Sequence, residues 1–346
     1  MTLGGTTRAM ARASCEIEVD GRTVTLTNPD KVFFAARGET KLDLARYYLA
    51  MGHAALAAVH ERPTVLKRYP DGAAGPFFFQ KRVPERHPEW LETVVVAFPS
   101  GRRAEELCPT AMAHLLWAIN LGCIDLNPWP VRRRDLEHPD ELRVDLDPEP
   151  GVGFADVRRT ALAAREVLGE RGLLSYPKTS GATGMHVTVP LRPAWGFDEV
   201  RTAALALARE LERRLPGVAT AAWWKKDRHE RVLVDYNQNA RDRTVASAYS
   251  VRPTADARVS APLTWEEVPD VEPLELTLAS MPTRLRRVGD RHPGPDAPPG
   301  DLGPLLALAA KQARAGMDDA PWPPFFARRR TTTPARSRTA PTDGEV

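Results

Sequence analysis

Between residues 140 and 236 the chain switches repeatedly between two periodicities, and this alternation constrains its fold more than any other feature. RVDLDP (143–148) steps apolar and acidic residues by two, as a strand with one buried face does. From Phe154 to Arg171, Val157, Leu162, Val167 and Leu168 recur at near-helical spacing, and Gly172 supplies a stop. LLSYP reads as a second strand and GMHVTVPL, after the Gly-rich loop TSGATG, as a third. A second helix is predicted from about Phe197 to Leu215, with Asp198 near its N-terminal cap and Pro216-Gly217 ending it. RVLVDY closes the series. The order β-α-β-β-α-β is that of a ferredoxin-like or RNA-recognition-like sheet in an α+β fold. There the first and third strands are central neighbours and the fourth pairs with the first.

The acidic residues fall in phase on these strands. Residues i and i+2 share a face, so Asp145 and Asp147 emerge together while Val144 and Leu146 face the other way. His186 and Thr188 share a face of the third strand, and Asp235 is opposite in phase to Val232 and Val234. An isolated Asp-x-Asp would suit an exposed edge strand equally well. A third carboxylate and a histidine on the same predicted face, in residues disfavoured in strands, favour a divalent-metal site. Carboxylates without cysteine point to Mg²⁺ or Mn²⁺ rather than zinc. How near Asp235 comes to Asp147 depends on strand register, which the sequence leaves open. The loop KTSGATGMH resembles a phosphate cradle: Gly181 and Gly184 let backbone amides approach an anion, and Ser180 and Thr183 add hydroxyls.

Outside this unit, CEIEVDGRTVTL reads as a hairpin turning at Asp20-Gly21, and Asn28-Pro29-Asp30 as a turn. Thr40 is expected to cap a helix carrying Leu44, Tyr47, Tyr48 and Met51 to about Val59. A short aromatic strand (FFFQKR) and a buried helix from about Glu105 to Asn120 follow. A strand and a helix are expected beyond YSVR, to about Arg287. The division expected is 15–135 for an N-terminal α/β part packed on the sheet, 136–290 for the catalytic core, 291–320 for a linker and short helix, and 321–346 for a disordered basic tail. Residues 1–14 read as a loose leader.

The net charge of the 346 residues is only +3, so nucleic-acid affinity would have to come from local clusters. Such clusters occur: Lys31, Phe33, Phe34 and Lys41, then Lys67, Arg68 and Tyr69, then Phe77, Phe78, Phe79, Lys81 and Arg82. Cations neutralise phosphates and aromatic faces stack on bases, although each residue alone fits an ordinary surface. The three cysteines form no CxxC pair, and no apolar run is long enough for a signal peptide or a bilayer span. A cytoplasmic, nucleoid-associated protein with no membrane contact is expected.

With LTNPDK, TK before a Tyr-Tyr helix, KRYPDG, FFFQK, DLDP, TSGATGMH, VDYNQN and YSVR in order over about residues 20–285, the chain resembles the polymerase domain of bacterial non-homologous end-joining ligase D. That is a branch of the archaeo-eukaryotic primase superfamily. The resemblance implies metal ligation by Asp145, Asp147 and Asp235, and nucleotide contacts from Lys67, Ser180, His186, Arg228 and Arg252. It implies contacts to nucleotide or template from Phe79, with Phe78 beside it, and 5′-phosphate binding by Lys31 and Lys41 with Asn28 assisting. One departure stands out: Asn127-Pro128-Trp129 replaces a His-Pro-Trp stretch, and Asn cannot carry a proton or positive charge there. In this the chain looks like the stand-alone members called primase-polymerase C.

The implied activity is template-directed nucleotidyl transfer from NTP or dNTP with two Mn²⁺ or Mg²⁺ ions, acting on gapped or end-containing, 5′-phosphorylated DNA. The family leans toward ribonucleotides and short gaps. No KxDG nucleotidyl-transfer motif is present, so sealing would fall to a separate DNA ligase, with Ku as a further candidate partner. A catalytically idle DNA-end-binding module and a metal-dependent sugar transferase are the competing classes. The carboxylate trio disfavours the first, and the basic and aromatic elements disfavour the second.

Overall fold

The computed structural model of the chain describes residues 13–294 and 297–323. Its N-terminal part opens with a hairpin, β1 (Ser14–Val19) and β2 (Arg22–Thr27), turning at Asp20 and Gly21, both at positive φ. β3 (Val32–Phe34) and β4 (Glu39–Thr40) lead into α1 (Lys41–Met51). Thr40 caps that helix as expected: its hydroxyl accepts from the Asp43 amide while Asp43 accepts from the Thr40 amide. The helix does not run on to Val59. Gly52, at φ +51°, breaks it, and a short α2 (His53–Ala57) follows.

A five-stranded sheet comes next, from β5 (Thr64–Arg68), β6 (Phe78–Gln80), β7 (Thr93–Ala97), β8 (Arg103–Leu107) and, after α3 (Met112–Asn120), β9 (Cys123–Pro128). β5 pairs with β6, β8 and β9. The expected helix from Glu105 to Asn120 therefore starts late: Glu105–Leu107 end β8, and four residues of loop follow before the helix begins. Pro109 lacks an amide and disfavours helix at Cys108, so the helix starts only at Met112.

The second sheet carries the predicted topology. Its strands are β10 (Glu141–Pro148), β11 (Tyr176–Thr179), β12 (Met185–Pro190), β13 (Ala219–Thr220) and β14 (Val232–Val234), in the order β11-β12-β10-β14-β13. The first and third strands of the unit, β10 and β12, are neighbours, and the fourth, β14, lies antiparallel beside the first. The helices α4 (Phe154–Gly169) and α5 (Phe197–Arg214) cover the valine face, where Val144, Leu146, Val187, Val189, Val232 and Val234 are all buried. Gly196, rather than Asp198, is the N-cap of α5. One continuous buried cluster runs from Val24 through Val144 to Leu305, joining the two sheets.

After β14 the chain forms no further regular strand among the described residues, only isolated bridges such as Val251 to Val259, before α6 (Met281–Val288). The stretch expected as a linker is tethered. Gly300 donates to the Pro190 carbonyl at 2.8 Å, Leu302 is fully buried, and α7 (Gly303–Arg314) packs against α5. Pro321–Pro323 are ordered parts of the fold, while the expected leader up to Arg12 and the tail from 324 lie outside the described residues. No described helix is long and apolar enough to cross a membrane.

Candidate metal and nucleotide site

Register answers the question left open by the sequence. Asp145 lies opposite His186, which lies opposite Lys178 on β11; on the other side the Asp235 amide donates to the Asp145 carbonyl at 2.8 Å. Residues directly opposed across antiparallel strands share a face. Lys178, His186, Asp145 and Asp235 thus form one row across four strands, with Asp147 two residues further along β10. One carboxylate oxygen from each of Asp145, Asp147 and Asp235 lies within 4.8 Å of the others.

This cluster is unfavourable without a cation. Burial, opposed by the charges of Lys178 and Arg252, lifts the Asp145 carboxyl to about 6. The neighbouring Asp145 charge, then burial, lifts Asp147 to about 8. Burial and then Asp145 lift Asp235 to about 6, against hydrogen bonds from the Asn237 amide (2.9 Å) and the Gln238 side chain (3.0 Å). The Asp145 Oδ1 atom is buried without a hydrogen bond, although His186 Nε2 stands 3.1 Å away. Three crowded acidic groups and an orphaned buried oxygen fit a hard divalent cation.

His186 is fixed from behind. Lys178, which the sequence did not single out, places its ammonium 2.6 Å from His186 Nδ1 and also donates to Ala246 O and Ser260 Oγ. Burial holds both groups below their ordinary values, Lys178 at about 7. The Ser180 loop closes over this row. Its hydroxyl accepts from the Ala182 and Gly184 amides, each at 3.1 Å, so those two amides are turned inward rather than outward. Both loop glycines are sterically required: a Cβ at Gly184 would lie 2.1 Å from the Leu146 carbonyl, and one at Gly181 would lie 2.5 Å from Arg252 Cγ.

A cavity of about 240 Å³ lies over Asp145 and Asp147, lined also by Ser180, His186, Lys67, Phe79, Asn127 and Arg252, among others; Asp235 stands behind these two rather than in its lining. Asn127 is buried and donates to the Asp125 carbonyl at 3.1 Å. Asp125, a further acidic group of this wall, sits opposite Lys67 in the β5–β9 register and 3.6 Å from Arg252. Its two-residue spacing from Asn127 was the available signal. Arg228 is not part of this wall: Glu149 holds its guanidinium at 2.6 Å, and the Trp223 carbonyl accepts a second bond.

The 5′-phosphate candidates form a separate group. Asn28, Lys31 and Lys41 line a cavity of about 750 Å³ together with Arg68 and Asn120. Lys41 is buried there, donating to Thr27 O and Asn120 O, each at 2.7 Å; burial, then the charges of Lys31 and Arg68, lowers it to about 8. Lys31 pairs with Asp71 at 3.1 Å. The β5–β6 hairpin separates the two cavities and gives each a cation with an aromatic ring. Lys67 is opposite Phe79, and Arg68 is opposite Phe78, with the Arg68 guanidinium 5.0 Å from the Phe78 ring centroid. Phe77, Phe78 and Phe79 are about half exposed, so the FFF strand is not a core strand. Arg68 was legible in principle, since alternation along β5 sends it to the face opposite Lys67.

Comparisons with known proteins agree with this geometry. Residues 40–292 match the family described as LigD, primase-polymerase domain. The multifunctional non-homologous end joining DNA repair protein LigD of Mycobacterium tuberculosis (strain H37Rv) is 33% identical over 283 residues, covering 77% of this chain and 36% of the relative. The bifunctional non-homologous end joining protein LigD of Bacillus subtilis is 29% identical over 265 residues, covering 76% and 42%. The chain thus spans roughly a third to two-fifths of the curated relatives it matches. Among solved structures, the polymerase domain from M. tuberculosis ligase D in complex with DNA is similar at a TM-score of 0.73 and 32% identity, covering 77% of this chain and 96% of that one. Spacing, register and these likenesses together place the chain in the LigD primase-polymerase domain family.

Proposed function

We propose that this chain is a template-directed nucleotidyltransferase that extends a primer at short gaps or broken DNA ends, using NTPs or dNTPs and preferring ribonucleotides. The single observation carrying this reading is the carboxylate trio within 4.8 Å on one sheet face, beneath a cavity with cationic walls. A pair of Mn²⁺ or Mg²⁺ ions held by Asp145, Asp147 and Asp235 would lower the pKa of a primer 3′-hydroxyl and neutralise a triphosphate. The chain's own residues supply position and charge. Lys67, with no ion pair among the described residues, and Arg252 face the cavity where the triphosphate would lie, and Ser180 shapes its floor. Phe79 offers an exposed ring for a base, and Phe78, also exposed, offers one on the opposite, Arg68 side of the hairpin. Arg228, bound to Glu149, would serve the phosphates only after exchanging that partner.

Lys31, Lys41 and Asn28 would take the 5′-phosphate of the downstream strand in the second cavity. The DNA complex of the similar polymerase domain supports a DNA partner. Sealing would then be left to a separate ligase, with Ku-type end binders as further partners. Asp145→Ala and Asp147→Ala should each abolish primer extension on a gapped, 5′-phosphorylated duplex with Mn²⁺ while leaving DNA binding nearly unchanged. Extension persisting in the purified double variant would reject the site; binding without product in the parent would favour an end-binding module.

A further inference from the structure

The third carboxylate is supported from an unexpected direction. Asp235 caps a single 3₁₀ turn, Tyr236–Asn239, in which the Asn237 amide donates to Asp235 Oδ1 at 2.9 Å. The Asn237 side chain is buried and held at both ends: Arg201 Nε donates to its Oδ1 at 2.8 Å, and its Nδ2 donates to the Pro321 carbonyl at 3.1 Å. Arg201, on α5, is itself completely buried. A guanidinium at such a position is costly unless every donor is used. Its remaining nitrogens go to Asp319 Oδ1 at 3.1 Å and to the carbonyls of Ala320 and Pro321, both at 2.9 Å. The Tyr236 and Trp322 rings enclose it, their centroids 5.0 and 3.8 Å from the guanidinium carbon. Trp322 in turn donates to Asp319 at 2.9 Å.

Apart from Asn237, Tyr236 and the nearby charge of Asp198, the hydrogen-bond and ring partners of Arg201 among the described residues thus come from residues 319–322. These lie beyond the segment 40–292 that matches the family. They are brought there by α7, whose Gln312 donates to the Ala206 carbonyl of α5 at 3.0 Å, and by Arg209, which donates to the Asp318 carbonyl.

We propose that residues 319–322, acting through Arg201 and Asn237, position Asp235 for its cation, so that this C-terminal latch is a working part of the metal site. Without the latch, Arg201 opens to water and Asn237 loses its Pro321 partner. The Asp235 carboxylate is then free to turn with the 3₁₀ turn that carries it. Groups behind a metal ligand commonly set affinity in this way. The inference rests on the proposed role of Asp235, and its test is built to separate the two.

The full chain would be titrated with Mn²⁺, following the free ion by electron paramagnetic resonance, alongside steady-state extension. The double variant Asp319→Ala/Trp322→Ala should bind Mn²⁺ about 10-fold more weakly and lose kcat to a similar degree, with KM for DNA unchanged. Asn237→Ala should reproduce the effect, and Arg201→Lys, which keeps a cation in the shell, should lose less Mn²⁺ affinity than Arg201→Ala. Should the double variant fold poorly, Asn237→Ala alone decides. Parent-like Mn²⁺ affinity in a folded double variant, or in Asn237→Ala, overturns the latch while leaving the polymerase reading intact. Unchanged Mn²⁺ binding by Asp235→Asn in the same titration removes both.

Discussion

Replacing Asp235 by Asn should make the metal-free protein more stable while removing its function. The carboxyl is 7% exposed and held at about 6, chiefly by burial and then by Asp145, whereas its ordinary value is 3.8. The folded state therefore keeps a proton that the unfolded chain gives up between these values. Stability is intact at low pH, falls as pH rises through that window, and is lower by roughly 3 kcal/mol above it. Asn removes the titration at little steric cost. Its Oδ1 can still accept from the Asn237 amide, and Gln238 can turn its amide to present an oxygen instead of a nitrogen. Burying the new amide and re-forming these bonds takes back about 1–2 kcal/mol, leaving a net gain of about 1–2 kcal/mol at pH 8. In a chain of 346 residues that is about 1–3 °C in Tm. Calorimetry in EDTA at pH 8 should show this gain; at pH 4, where little of the titration penalty remains and the cost of the buried amide persists, the variant should be slightly less stable than the parent. Saturating Mn²⁺ should reverse the order, because only the parent gains binding energy from the ion. A variant less stable than the parent in EDTA at pH 8, with an equal response to Mn²⁺, would refute the reasoning.

Three further outcomes bear on the basic and aromatic elements. Lys31 is partly exposed and paired with Asp71, so Lys31→Ala should leave Tm unchanged yet reduce the preference for a 5′-phosphorylated downstream strand about 10-fold, measured by paired extension assays at fixed salt. Lys41→Met should lose the same preference and also about 1–3 kcal/mol of stability, since it strands the Thr27 and Asn120 acceptors. Phe79→Ala should weaken nucleotide or template binding by about 1–3 kcal/mol, read as a raised KM, with Tm unaffected because the ring is 55% exposed.

The sheet that carries the carboxylates was legible because its signals are local and repeated. Period-two acidic and apolar residues in RVDLDP, and the glycines on either side of the Ser180 loop, state strand and turn directly. Proximity of Asp235 to Asp145 was not legible, since it depends on a register set by two strands almost 90 residues apart; the bond from the Asp235 amide to the Asp145 carbonyl decides it. The misplaced helix around Glu105 has a different cause. Glu106 is an acid buried in a strand, where the Trp129 indole donates to it at 3.0 Å and burial raises it to about 8, so polarity along RAEEL did not report exposure. Lys178, Asp125 and Arg201 act through partners distant in sequence, and only three-dimensional packing brings those partners to them. Arg228 shows the converse: the family resemblance implies a phosphate contact for it, and in this structure its guanidinium pairs with Glu149.

The hairpin of β5 and β6 has a consequence for substrate length. On the proposed reading, one chamber keeps the downstream 5′ end and the other keeps the growing 3′ end, and a wall one β-layer thick lies between them. Side chains on opposite faces of a single layer reach out over about 10 Å, the distance along a few stacked nucleotides. A gap much wider than that cannot keep both ends seated at once. On that reading the wall would act as a ruler, and a preference for short gaps would be a matter of protein thickness.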